Sequence, residues 1–150
     1  MLEGALTMSS DQDKADQAVV VICHPHPLFG GDMDSLVVQR ISSELASRGI
    51  ASLRFNYRGV ANSEGKYDDG IGEMQDLSAA ITHVCKSSGL DGDRIGVAGY
   101  SFGASLAIEA AATDKRIKVL AAISPPWAGL SGGKWDRGTI PKLIVCGDSD

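Results

Sequence analysis

Ile95-Gly96-Val97-Ala98 runs directly into Gly99-Tyr100-Ser101-Phe102-Gly103, and an alanine-rich stretch from Ala104 to Ala112 follows. The pattern is Gly-x-Ser-x-Gly between a β-prone run and a helix-prone one. That context is what a nucleophile elbow requires. The chain turns sharply from strand to helix, the glycines let neighbouring backbone approach, and the serine hydroxyl stands clear at the rim of a sheet. The next amide, Phe102 N–H, then faces a developing oxyanion from a helix N-terminus. An incidental serine in a glycine-rich turn needs neither the strand before it nor the helix after it.

Working outward, strands and helices alternate. Ala18 to Cys23 is a continuous apolar run, as in a strand covered on both faces. Ser35 to Arg48 reads as a helix, with Asp34 as its cap, Val37, Val38, Ile41 and Leu45 as its apolar stripe and Gly49 as its stop. Ile50 to Asn56 reads as a strand and Tyr57 to Gly72 as a loop. Glu73 to Lys86 is a second helix, with Met74, Leu77, Ile81 and Val84 inward, and Val119 to Ile123 and Leu143 to Cys146 are further strands. This rhythm predicts an α/β fold: a mostly parallel sheet flanked by helices, in one domain spanning residues 1–150. Ligands of such sheets sit at the carboxyl ends of the strands. His24 to Gly31, Arg58 to Gly65 and Ser101 all fall there.

An elbow needs a second amide donor, supplied by the loop after a neighbouring strand. His24-Pro25-His26-Pro27-Leu28-Phe29-Gly30-Gly31 is in that place. Pro25 and Pro27 have no N–H, which leaves His26 N–H as first choice and Leu28 N–H as second. The two imidazoles read as satisfied structural histidines. A carboxylate to orient a catalytic base is expected after the last strand, where Pro141 to Cys146 runs into Gly147-Asp148-Ser149-Asp150. Asp150 is the better candidate and Asp148 the second.

Composition removes other classes. Fourteen Lys and Arg against nineteen Asp and Glu give a net charge of −5, a poor surface for nucleic acid or anionic lipid. The longest apolar run is far too short to cross a bilayer, so no membrane association is expected. Three scattered cysteines, Cys23, Cys85 and Cys146, form no CxxC pattern. Neither a metal nor a cofactor is expected, and a reducing, cytoplasmic setting is the simplest reading. Gly59 to Lys66 is not a phosphate loop, because its glycine spacing is off and Tyr67 stands where Ser or Thr is needed. Asp68 and Asp69 read as a solvated loop. No feature of the sequence defines an oligomeric state.

Together these residues resemble the α/β-hydrolase superfamily, and within it a small bacterial and archaeal group of predicted hydrolases with a His-Pro-His-Pro loop. His24 to Gly31 looks like that group's oxyanion loop, Leu53-Arg54-Phe55-Asn56-Tyr57-Arg58-Gly59-Val60 like its next strand and turn, and Pro141 to Asp150 like its acid strand. The resemblance implies a serine hydrolase acting on a small-molecule ester, thioester or amide. Ser101 is then the nucleophile, Asp150 the acid, and Phe102 with His26 or Leu28 the oxyanion amides. The rival reading is a non-catalytic hydrolase-fold fragment or scaffold. The sequence departs from the pattern in two places. Ala61-Asn62 stands where the group tends to have one glycine. No histidine follows Ser101, although the superfamily order is Ser, acid, His. His83 reads as a surface residue. A C-terminally truncated chain, with impaired activity, is therefore expected. The segment from Pro125 to Thr139, with Trp127 and Trp135, is short for a lid and implies an open site.

Overall fold

A computed structural model of the chain describes residues 1–9, 16–126 and 139–147. Among these residues, six strands form one sheet: β1 (Gly4–Thr7), β2 (Gln17–Cys23), β3 (Ala51–Phe55), β4 (Leu90–Tyr100), β5 (Ile117–Ile123) and β6 (Lys142–Val145). Their order is β1-β3-β2-β4-β5-β6, with β1 antiparallel to β3 and every other pair parallel. As the resemblance implies, the strand of Val20 lies between those of Leu53 and Val97: Val21 is in register with both.

Alternation along the central strands separates two cores. Val19, Val21 and Cys23 face α2 (Ile71–Lys86) and α3 (Phe102–Thr113), packing with Leu77, Ile81, Val84, Ala104 and Ala107. Val20 and Ile22 face α1 (Leu36–Ser47), packing with Val38, Ile41 and Leu45. Burying a residue such as Ile22 contributes about 1.5–3 kcal/mol. A buried hydrogen bond of 2.8 Å between the Ser42 and Ser52 hydroxyls ties α1 to β3. Gly49 closes the helix turn with a positive φ of 79°, as its position predicts. No helix among the described residues is long and apolar enough to cross a membrane.

The structure adds one strand and departs from two expectations. Strand β1 carries no sequence signal of its own. Its four residues lie against β3, where the Glu3 carbonyl accepts the Asn56 N–H at 2.9 Å. Asp34 does not cap α1: the N-cap is Ser35 without a side-chain bond, and the Asp34 carboxylate accepts Arg54 Nη1 at 2.8 Å instead. Strand β4 begins at Leu90, ahead of the expected Ile95. At the Ala61-Asn62 departure, Ala61 takes the left-handed φ of 46° that a glycine adopts freely. Asn62 repays part of that strain by donating both its amides to Glu3, from N at 3.1 Å and from Nδ2 at 2.7 Å.

Candidate active site

Ser101 sits between β4 and α3 with φ 53° and ψ −120°, a conformation that costs a non-glycine residue about 1–3 kcal/mol. The surroundings hold it there. Ser101 N–H donates to the Ile123 carbonyl at 2.9 Å, and the Ser101 carbonyl accepts Ala104 N–H at 2.9 Å. The two motif glycines are steric requirements. A methyl on Gly99 would lie 2.2 Å from the Gly103 carbonyl oxygen, and one on Gly103 would lie 2.4 Å from that of Cys23. The elbow is thereby pressed against the end of β2, where the His24 loop begins. Phe102 N–H, in the first turn of α3, has no acceptor among the described residues.

His24 is fully buried. Tyr57 N–H donates to its Nε2 at 3.2 Å, so the ring proton must be on Nδ1, which donates to the Pro25 carbonyl at 2.7 Å. Burial pushes its pKa down to about 4, opposed by the Pro25 carbonyl and Asp32. The neighbouring Tyr57 ring lies 4.2 Å away, and its hydroxyl is buried without a hydrogen bond of normal geometry. Burial also pushes the Cys23 thiol, which lies near that hydroxyl, up to about 12. His24, Tyr57 and Cys23 thus form an uncharged floor under the rim.

The same logic applies to His26. Leu28 N–H donates to His26 Nδ1 at 3.2 Å, and Nε2 lies 3.1 Å from the Tyr67 hydroxyl. Phe29 N–H is also used, donating to the His26 carbonyl at 3.1 Å. Of the two amides that sequence reasoning singled out, Leu28 N–H is therefore occupied, while His26 N–H has no acceptor among the described residues. The His26 ring lies 4.8 Å from that of Phe102, which brings the loop beside the residue that follows Ser101. No histidine nitrogen is hydrogen-bonded to the Ser101 hydroxyl among the described residues. His83 is exposed on α2. Asp148, Asp150, Trp127 and Trp135 lie outside the described residues.

Tyr67, whose hydroxyl meets the His26 ring, was not among the candidate residues of the sequence. Its one signal was an aromatic ring embedded in the glycine-rich loop that follows β3. A groove of about 530 Å³ along β1 and α2, lined by Leu6, Phe55 and His83, shares no residue with the elbow or the His26 loop.

A model of the X-Pro dipeptidyl-peptidase (S15) family matches residues 5–143. The chain belongs to this family. Its fold is that of the α/β hydrolases. It is 37% identical to an α/β serine hydrolase homologue from Coxiella burnetii, with a TM-score of 0.86 over 98% of this chain and 68% of that one. It is 34% identical to XC6422 from Xanthomonas campestris, a serine hydrolase without a lid, with a TM-score of 0.81 over 99% of this chain and 66% of that one. The uncharacterized protein RP471 of Rickettsia prowazekii is 34% identical over 137 residues. The chain spans 56% of that relative's length, and the match takes in 88% of this chain.

Proposed function

We propose that this hydrolase-family chain carries a serine acyl-transfer site for a small ester, thioester or amide, with Ser101 as nucleophile. The observation that carries the reading is the strained Ser101 at the β4–α3 turn, followed by an amide without an acceptor at the N-terminus of α3. In the reaction, Ser101 Oγ bonds to the substrate carbonyl carbon as the hydroxyl proton passes to a base. The carbonyl oxygen becomes an oxyanion, which Phe102 N–H and His26 N–H receive. Collapse breaks the bond to the leaving group, which takes up that proton to depart as the alcohol, thiol or amine, and water then attacks the acyl-Ser101 carbonyl, releasing the acid and restoring the hydroxyl. Each oxyanion donor is worth about 10²–10³ in rate.

Asp150 is the proposed orienting carboxylate. The rings of His24 and His26 are both committed to other partners. Neither serves as base in this reading, and residues 1–150 alone retain only the contribution of oxyanion binding, on the order of 10³–10⁴ over water. The lidless Xanthomonas neighbour supports an open site for small acyl groups. The free thiols of Cys23, Cys85 and Cys146 support a cytoplasmic setting.

The second reading is a non-catalytic scaffold. It draws on the missing histidine bond and on exposed Leu143 and Val145 on β6. A fluorophosphonate probe separates the two. Slow labelling that Ser101→Ala abolishes supports the acyl-transfer site. Absence of labelling in both residues 1–150 and a C-terminally extended chain supports the scaffold.

A further inference from the structure

The bond from Leu28 N–H to His26 Nδ1 fixes the tautomer of the His26 ring. An amide only donates, so Nδ1 carries the lone pair and the neutral ring bears its proton on Nε2. Nε2–H therefore donates to the Tyr67 oxygen, 3.1 Å away. The Tyr67 hydroxyl proton is left over, and it has no acceptor among the described residues. Burial and the charges of Asp69 and Glu73 raise the Tyr67 pKa, so the group stays a donor at neutral pH.

That donor belongs to a ring cluster beside the elbow. The His26 ring lies 4.7 Å from Phe29, 5.1 Å from Tyr67 and 4.8 Å from Phe102, and Phe102 directly follows Ser101. Two members of the same turn are left bare: Phe29 is 86% exposed and Leu28 67%. A lone exposed leucine needs no explanation. An exposed phenylalanine is different here, because the His26 ring it packs against is also the ring that fixes the unoccupied Tyr67 hydroxyl, so an apolar face and a directed donor flank one imidazole.

We propose that Tyr67 is a substrate-recognition residue: its hydroxyl, aimed by His26, donates to an acceptor oxygen on an aromatic group that packs against Phe29. The inference rests on the acyl-transfer reading and names its substrate class, an aryl-bearing acyl compound with an oxygen acceptor on or next to the ring. Ring-to-ring packing adds attraction beyond the area it buries, which favours an aryl group over an alkyl chain of equal size.

The test uses the whole chain and two matched probes, acetophenone and ethylbenzene, titrated by NMR. Acetophenone, which has the acceptor, is expected to bind about tenfold more tightly. In Tyr67→Phe that ratio collapses to within twofold, and in Phe29→Ala both affinities fall several-fold. Equal binding of the two probes, or a preference that survives Tyr67→Phe, overturns the hydrogen bond. Cyclohexyl methyl ketone binding as tightly as acetophenone overturns the aromatic part. A parallel assay asks whether acetophenone slows fluorophosphonate labelling of Ser101. Labelling slowed in proportion to occupancy places the subsite at the nucleophile; labelling unaffected at saturating probe overturns the subsite. If Ser101 labels under no condition, the acyl-transfer reading fails, while the binding ratios still report on Tyr67 separately.

Discussion

Gly103 packs so closely on Cys23 that a methyl group on its Cα would lie 2.4 Å from the Cys23 carbonyl oxygen. The obstacle is backbone on both sides: the His24 carbonyl lies 2.5 Å from the same point. Neither can move without disturbing β2, the central strand. Gly103→Ala is therefore expected to cost about 3 kcal/mol or more, in the range of severe core lesions. Chemical denaturation measures it. A loss under 1 kcal/mol contradicts the tight approach.

Ser101 shows the opposite balance. Its φ of 53° is strained for any residue with a Cβ. Ser101→Gly is expected to raise stability by about 1 kcal/mol, and Ser101→Ala, which keeps the Cβ, to leave it nearly unchanged. Thermal unfolding of the pair distinguishes backbone strain from loss of the hydroxyl. Equal melting temperatures for the two variants would remove strain as the cause.

His24 makes stability depend on pH. Its pKa is about 4 in the folded chain against a reference of 6.5. Between those values the unfolded chain binds a proton that the folded chain does not. Stability from this group is thus lost as pH falls from 6.5 to 4, by up to about 3 kcal/mol. The depressed carboxylates, Glu3, Glu64, Asp91 and Asp114, lose their contributions only below their reference values of 4.5 or 3.8. Urea midpoints at pH 7 and 4.5 are expected to differ in the parent chain and to converge in His24→Gln. A His24→Gln variant with the parent slope assigns the effect elsewhere.

Asp76 is the anchor of the loop after β3. It accepts Arg58 N–H at 2.9 Å and pairs with the guanidinium, including Nη2 at 2.9 Å. The carboxylate side chain is 7% exposed and the guanidinium 24%. Asp76→Ala leaves a partly buried cation and an amide unpaired and is expected to cost about 3 kcal/mol. Arg58→Ala is expected to cost less than Asp76→Ala, because the better-buried Asp76 also holds the backbone N–H. The two denaturation curves give that order, and the reverse order contradicts the argument.

The central place of β2 was implied by the resemblance, whereas the elbow turn, the mostly parallel sheet and the exposure of His83 were legible in the sequence itself. Each depends on neighbours a few positions away. Glycine spacing, a β-branched run and helical periodicity are short-range sterics and burial, and they are written in adjacent letters. Even the structural reading of His24 and His26 followed from a proline-rich turn that leaves few alternatives.

The rest was decided by tertiary packing. Asp34 was a sound cap on local grounds, but Arg54, twenty residues away, offers it a charge-assisted bond that a cap amide cannot match. Strand β1 exists because β3 and Glu3 hold it, not because Gly4 to Thr7 favours extension. His26 N–H and Leu28 N–H stood as alternatives in the sequence. Only the folded loop, by turning the His26 ring back onto Leu28, removes one of them. Tyr67 lies 41 residues from His26, and nothing local joins them. A hydrogen bond at that separation forms only once β2, β3 and α2 have brought their loops to one rim, so its donor and acceptor are assigned by the fold and not by the letters around either residue.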